Sequence, residues 1–239
     1  MSSKHNNYIL KWAKKLKAVT YLGGQCVQCF DKDIRILQFH HRQKEQKEFS
    51  IGKACNDNCR WSYILEELDK CILMCANCHF EYHCDGEAID KRRIMLKDKL
   101  LEYKGVNFCE KCGCKPRTVN CLHFHHLVPR DKSFSLDMEA WKNKKFKSYC
   151  IEDRIAKELD KCIVVCANCH IRGHIDNDRF EKFYSQIEQK AQSYKEGAKI
   201  DKAVVRQMYE QGMKQIEIAR QLNCANSSIS EIINNKLPY

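Results

Sequence analysis

Apolar side chains at Ile9, Trp12, Leu16 and Val19, separated by lysines, predict an amphipathic basic helix over 7–19. Tyr21-Leu22-Gly23-Gly24 breaks that pattern and leads into Cys26. The apolar, β-branched stretch Ile34–Phe39 predicts a strand ending in the pair His40-His41. Residues 62–69 return to helical spacing. A further helix opens at Cys75 and Cys78 and carries His79 and His83 one turn apart on one face.

The pattern then starts again. Asp69-Lys70-Cys71-Ile72-Leu73-Met74-Cys75-Ala76-Asn77-Cys78-His79 returns as Asp160-Lys161-Cys162-Ile163-Val164-Val165-Cys166-Ala167-Asn168-Cys169-His170. Cys26/Cys29 and His40/His41 return as Cys109/Cys112 and His125/His126. Tyr103 and Gly105 echo Tyr21 and Gly23, and Ile155 and Leu159 echo Ile64 and Leu68. A tandem duplication is the simplest account, with repeats at 1–87 and 88–176. Neither copy can bury much apolar surface alone, so a metal staple is physically reasonable.

Residues 177–199 read as a charged helical linker, and the pattern changes after it. Helical spacing over 201–211 stops at Gly212. A second short helix over 215–222 presents Ile216, Ile218, Ala219 and Leu222, and a third over 227–234 presents Ile229, Ile232 and Ile233. This spacing predicts an all-α helix-turn-helix domain over 200–239.

Composition narrows the picture. The 239 residues carry a formal net charge of +11, which favours a polyanionic partner, nucleic acid first. The 17 cysteines would suggest a disulfide scaffold in a secreted chain. Here they fall in Cys-x-x-Cys pairs among histidines, and no signal-peptide apolar core follows Met1. A reducing compartment with thiolates on zinc is expected, such as cytoplasm or nucleoid. No apolar run approaches a membrane span, so no membrane partner is expected.

Cys26, Cys29, Cys75 and Cys78 can supply four thiolates to one structural zinc, and Cys109, Cys112, Cys166 and Cys169 to a second. Cys114, beside Cys112, stands as an alternative ligand. A closed four-sulfur site keeps no open position, so reactive chemistry would fall to the histidines. Phosphodiester hydrolysis needs a general base and a cation to stabilise developing charge, and imidazole suits both tasks.

Each repeat resembles the HNH (ββα-metal) endonucleases, in the branch tied by a four-cysteine zinc, over about 23–84 and 106–175. The resemblance implies an α+β fold with two tandem ββα-metal modules. It implies that His40, His79 and His83 hold one catalytic divalent ion, Mg²⁺ or Mn²⁺ by family expectation, with His41 as general base. It assigns His125, His170 and His174 to a second ion, with His126 as base. The chain departs from the family at Lys70 and Lys161, where the Asn that orients the base is expected. Asp69 and Asp160, or a backbone carbonyl, are the replacements that the sequence offers.

The tail resembles helix-turn-helix tails of resolvases and phage homing endonucleases. That likeness places Asn226, Ser227, Ser228 and Ser230 near base edges and Lys236 on phosphate. The Lys-rich stretches 11–17, 91–99 and 142–147 read as solvated faces that also neutralise phosphates, and Trp141 and Phe146 as core. The expectation is a sequence-directed endonuclease on double-stranded DNA, of homing or restriction type and virus- or mobile-element-borne. It would be a fused pseudo-dimer, one module per strand, and a monomer or homodimer in solution. A branched-DNA resolvase and an inactive zinc-stapled DNA-binding protein are the alternatives.

Overall fold

The computed structural model describes residues 3–57, 59–86, 91–136, 153–194, 201–222, 224 and 226–234. In chain order they form α1 (Ser3–Tyr21), β1 (Leu37–His41), α2 (Ile51–Asn56), α3 (Trp61–Leu68), β2 (Cys71–Cys75), α4 (Ala76–Gly86) and α5 (Lys91–Lys104). There follow β3 (Leu122–His126), α6 (Asp153–Asp160), β4 (Cys162–Cys166), α7 (Ala167–Gly173), α8 (Asn177–Ser193), α9 (Lys202–Glu210), α10 (Gln215–Gln221) and α11 (Asn226–Ile233). The class is α+β, with two separate two-stranded sheets, β1-β2 and β3-β4. Two compact units divide the chain: Met1–Leu73 with Asp178–Tyr239, and Met74–Asn177; the division falls inside β2.

In the first unit, α1 buries Trp12, Ala13, Ala18 and Val19. Trp12 meets Phe180 of α8 edge to face at 4.8 Å. Ala18 joins Ile51, Ile64, Leu65 and Leu68 in a core shared with α2 and α3. The lysines of α1 are not all solvated, contrary to the sequence expectation. Lys14 is buried and its Nζ donates to the Asp57 carbonyl at 2.7 Å. The Lys15 Nζ donates to the Arg35 carbonyl at 3.1 Å, and burial pushes that ammonium down to about 8.

Strand β1 begins later than its apolar run suggests. Asp33 Oδ1 accepts from the Arg35 amide at 3.0 Å and the Asp33 carbonyl from the Ile36 amide at 3.1 Å, which turns the chain before Leu37. The strand ends in the His pair as expected, with His40 and His41 as its last two residues.

Helices α9, α10 and α11 share one small core of Val205, Met208, Ile218, Ala219, Ile229 and Ile232. Asp201 caps α9 by accepting from the Ala203 and Val204 amides. Gly212, at φ +88°, turns the chain out of α9 in a conformation that side chains with a Cβ resist.

In the second unit, β3 and β4 pair antiparallel, Leu122 with Cys166, Phe124 with Val164 and His126 with Cys162. One face of this hairpin packs Leu122, Phe124 and Val164 against Leu100 and Leu101 of α5 and Ile155 and Leu159 of α6. Lys97, read from sequence as part of a solvated face, is buried with its Nζ on the Asn120 carbonyl at 3.2 Å. Helices α4 and α7 meet through a reciprocal exchange. The Asn77 amide donates to Asn168 Oδ1 at 3.1 Å, and the Asn168 amide donates to Asn77 Oδ1 at 3.1 Å. The 142–147 stretch, Trp141 and Phe146 lie outside the described residues.

Candidate metal centres and nucleic-acid interface

The second repeat builds its thiol group from a tight turn and a helix start. The Cys109 amide donates to the Cys114 carbonyl at 2.9 Å, and the Gly113 amide donates to the Cys109 carbonyl at 2.8 Å. Gly113 sits at φ +72°, so the loop curls back on itself at a residue without a Cβ. Opposite this loop, Cys166 caps α7, its Sγ accepting from the Cys169 amide at 3.4 Å.

Cys109, Cys112, Cys114 and Cys166 bring their sulfurs within 4.8 Å of one another. The structure thus gives Cys114 a place in the group. The expected fourth member, Cys169, adjoins it, its amide donating to Cys166 Sγ. Burial acts against the charged form of Cys112, yet hydrogen bonds from the Cys114 amide and the surrounding thiols hold it down to about 7. Burial and neighbouring sulfurs push Cys114 and Cys169 up. Thiols crowded this closely resist carrying several negative charges without a cation, so the donor set fits a thiophilic ion such as zinc. In the first repeat Cys75 opens its helix in the same way, its Sγ accepting from the Cys78 amide at 3.5 Å, while Cys26 and Cys29 belong to the other compact unit. No disulfide forms among the described residues.

Histidines form the second kind of group. His125, His170 and His174 offer nitrogens within 4.8 Å of one another, and of their counterparts in the first repeat His79 and His83 stand together on α4. Helical spacing brings His79 Nε2 to 3.1 Å from His83 Nε2, and His170 Nε2 to 3.2 Å from His174 Nε2. The His125 ring stands 5.1 Å from that of His174 and 5.4 Å from that of His170. Gly173 makes room for it: a Cβ there would lie 3.2 Å from the His125 ring. Burial and the Lys111 ammonium push His125 down, which favours the neutral imidazole that binds cations. His123, on the same strand, stacks on His170 with centroids 5.0 Å apart and planes 1° from parallel.

His41 and His126 reach other partners than the histidines next to them in their strands, as alternation along a strand requires. His126 Nε2 lies 2.8 Å from Glu158 Oε1 on α6, and His41 Nε2 lies 2.8 Å from Glu67 Oε1 on α3. The His126 residue is only 9% exposed. The same Glu158 oxygen accepts from the Ser133 and Phe134 amides, and Oε2 accepts from Lys161 Nζ at 2.6 Å. Glu67 repeats this with the Glu48 and Phe49 amides and with Lys70 Nζ at 2.7 Å. Burial opposes ionisation of Glu158, but Lys161, the two amides and His126 together hold it down to about 2. Glu67 is lowered through the equivalent partners.

The orienting groups expected from sequence are therefore replaced. Asp69 accepts from the Tyr21 hydroxyl at 2.5 Å and Asp160 from the Tyr103 hydroxyl at 3.4 Å, tying each preceding helix to its repeat. Lys70 and Lys161 are partners of the glutamates. Sequence reasoning missed Glu67 and Glu158, although Glu-Leu-Asp-Lys stands in both repeats.

In the tail, Asn226 is exposed at the start of α11. Ser228 Oγ accepts from Arg60 Nη1 at 3.3 Å. The Ser230 carbonyl accepts from Asn234 Nδ2 at 2.7 Å. The Ser227 side chain and Lys236 lie outside the described residues.

Residues 200–237 match the CENP-B N-terminal DNA-binding domain family. No curated protein and no solved structure matches the chain. The family match suggests that the tail binds DNA. No helix among the described residues is long and apolar enough to cross a membrane.

Proposed function

We propose that this protein is a divalent-metal-dependent DNA endonuclease, built as two tandem HNH modules joined to a helix-turn-helix tail. The duplicated histidine groups carry this reading. Sulfur alone can satisfy a structural zinc in each repeat, which leaves the histidines as a second donor set: His125, His170 and His174, gathered within the second unit, and by the repetition of the sequence His40, His79 and His83. A divalent ion held there would stabilise charge on the scissile phosphate and the leaving oxygen.

His41 and His126 are the bases in this proposal. A neutral imidazole that donates from Nε2 to a carboxylate keeps Nδ1 as its acceptor. Glu67 and Glu158 would thus select the tautomer with Nδ1 poised to take a proton from water, and would steady the imidazolium that results. The tail would hold the duplex, with Asn226 and Ser230 near base edges and Lys236 on phosphate.

A second reading draws on the burial of His126 and Glu158. If that pair is only an anchor, the chain is a zinc-stapled DNA-binding protein without catalysis. Incubation of supercoiled plasmid with Mg²⁺ or Mn²⁺, followed by mapping of both strand ends, separates the two. The proposal expects metal-dependent cuts in both strands. Tight binding with no cut under any divalent ion overturns it. A preference for four-way junctions over linear duplex would assign the activity to resolution instead.

A further inference from the structure

The two Glu–His pairs end differently. In the second repeat, among the described residues, Lys161 leads from Glu158 Oε2 only to Ser133 Oγ at 3.1 Å and to the Asp131 carbonyl at 3.0 Å. Ser133 is the residue whose amide donates to Glu158 Oε1. Its counterpart in the first repeat, judged by the same amide bond to Glu67 Oε1, is Glu48. That carboxylate extends the network. Glu48 Oε1 lies 2.8 Å from Lys70 Nζ, and Glu48 Oε2 lies 2.6 Å from Lys202 Nζ. Lys202 is the first residue of α9, in the segment matched to a DNA-binding family. Its ammonium also sits 3.5 Å from Glu66 Oε2 and 4.2 Å from the Tyr63 ring centroid.

A continuous chain of charge-assisted contacts therefore runs Lys202–Glu48–Lys70–Glu67–His41, each link between 2.6 and 2.8 Å. All five residues belong to one compact unit. We infer that Lys202 is a positioning residue through which the DNA-binding tail sets the His41–Glu67 pair of the first repeat, while the second repeat works without such a link. This rests on the endonuclease reading for its catalytic consequence, though not for the contact itself. An isolated surface ion pair contributes little, since water and salt screen it. Here Lys202 is 13% exposed and wedged between two carboxylates and a ring, and Glu67 is fully buried, so both ends of the chain are shielded while Glu48, 45% exposed, is held between two ammonium groups. Removal of Lys202 leaves Glu48 free to turn away, and Lys70 then loses one of its two carboxylates.

The test compares wild type with Lys202→Met and with Glu48→Ser, which gives the first repeat the residue of the second. Three quantities are read on the full chain: first-turnover cutting of each strand at saturating duplex with Mn²⁺, duplex affinity, and amide hydrogen exchange. The strand cut by the first module is the one spared from cutting in His41→Ala. Cutting of that strand should slow about tenfold in both variants, a size typical of coupling carried by such networks. Cutting of the other strand and duplex affinity should stay unchanged. Exchange at the Phe49 amide should quicken, while exchange at Ser133 and Phe134 should not. Equal slowing of both strands, or no change in either, overturns the inference. If wild type cuts neither strand, the endonuclease reading fails by itself, and amide exchange then decides: faster exchange confined to Phe49 upholds the link, and unchanged exchange at that position overturns it.

Discussion

The two repeats use one plan with different margins. The first repeat holds four cysteines in its two Cys-x-x-Cys pairs, whereas the second adds Cys114 to Cys109, Cys112, Cys166 and Cys169. Phe30 takes the left-handed turn of the first knuckle at φ +61°, where the second has Gly113 at φ +72°. Gln38 in β1 corresponds to His123 in β3, so one more imidazole stands by the second histidine group. The carboxylate network of the first repeat extends to the tail, and that of the second, among the described residues, stops at Ser133. Duplicated sites can therefore share ligands and still differ in tolerance and in control. The copy with spare donors should absorb damage, and the copy with the longer network should take instructions.

Removal of single thiols gives the largest contrast. Cys78→Ser should halve the tightly held zinc, measured by mass spectrometry, because the first repeat has Asp31 where the second has Cys114, and structural zinc contributes roughly 10 kcal/mol to such folds. Cys169→Ser should retain its zinc, since Cys114 already stands in the group. Equal loss from both variants would break the comparison.

Next come the bases. His41→Ala and His126→Ala should each leave a nickase, of opposite strand preference, with the affected cut slowed roughly 10²- to 10⁴-fold. Loss of both cuts in either variant means that the repeats do not act on separate strands.

The glutamates test packing. Glu158→Ala leaves Lys161 with only Ser133 and a carbonyl, and strands a buried imidazole, so urea unfolding should show a loss of about 3–5 kcal/mol. Glu67→Ala should cost less, because Lys70 keeps Glu48. Acid sharpens this. Glu158 is held below its ordinary value of 4.5, at about 2, so its contribution is complete above pH 4.5 and fades as pH falls toward 2. The wild-type advantage over Glu158→Ala should shrink across that window.

The smallest effect belongs to the knuckle turns. Phe30→Gly should raise the melting temperature slightly and Gly113→Ala lower it, each by the equivalent of about 1 kcal/mol, since a Cβ resists positive φ. A Cβ at Gly113 meets nothing within 4 Å, so backbone strain alone is measured.

Much of this organisation was legible in the sequence because it is local. Cysteine pairs, histidines one turn apart and the apolar spacing of α1, α9 and α10 are patterns over a few neighbours. The duplicated phrase added independent weight to each. What escaped was long-range and polar. Glu67 lies within a helix whose spacing marks only apolar faces, and its partners His41 and Glu48 come from distant stretches of chain. Lys14 and Lys97 looked like members of charged runs, yet each points its amine at a carbonyl inside. The start of β1 was misjudged because the turn at Asp33 depends on a side chain accepting from the backbone, which apolar patterning does not register. Cys114 was visible, but only folding shows that it reaches the other sulfurs.

The mutual grip of Asn77 and Asn168 has an evolutionary corollary. Two amides that trade the same bond in both directions are the imprint of a twofold axis, the arrangement that identical subunits make when they pair. Antiparallel duplex DNA has twofold axes of its own. Duplication and fusion of a half-length chain that met its twin through that asparagine would account for the exchange, each half then diverging without losing its companion.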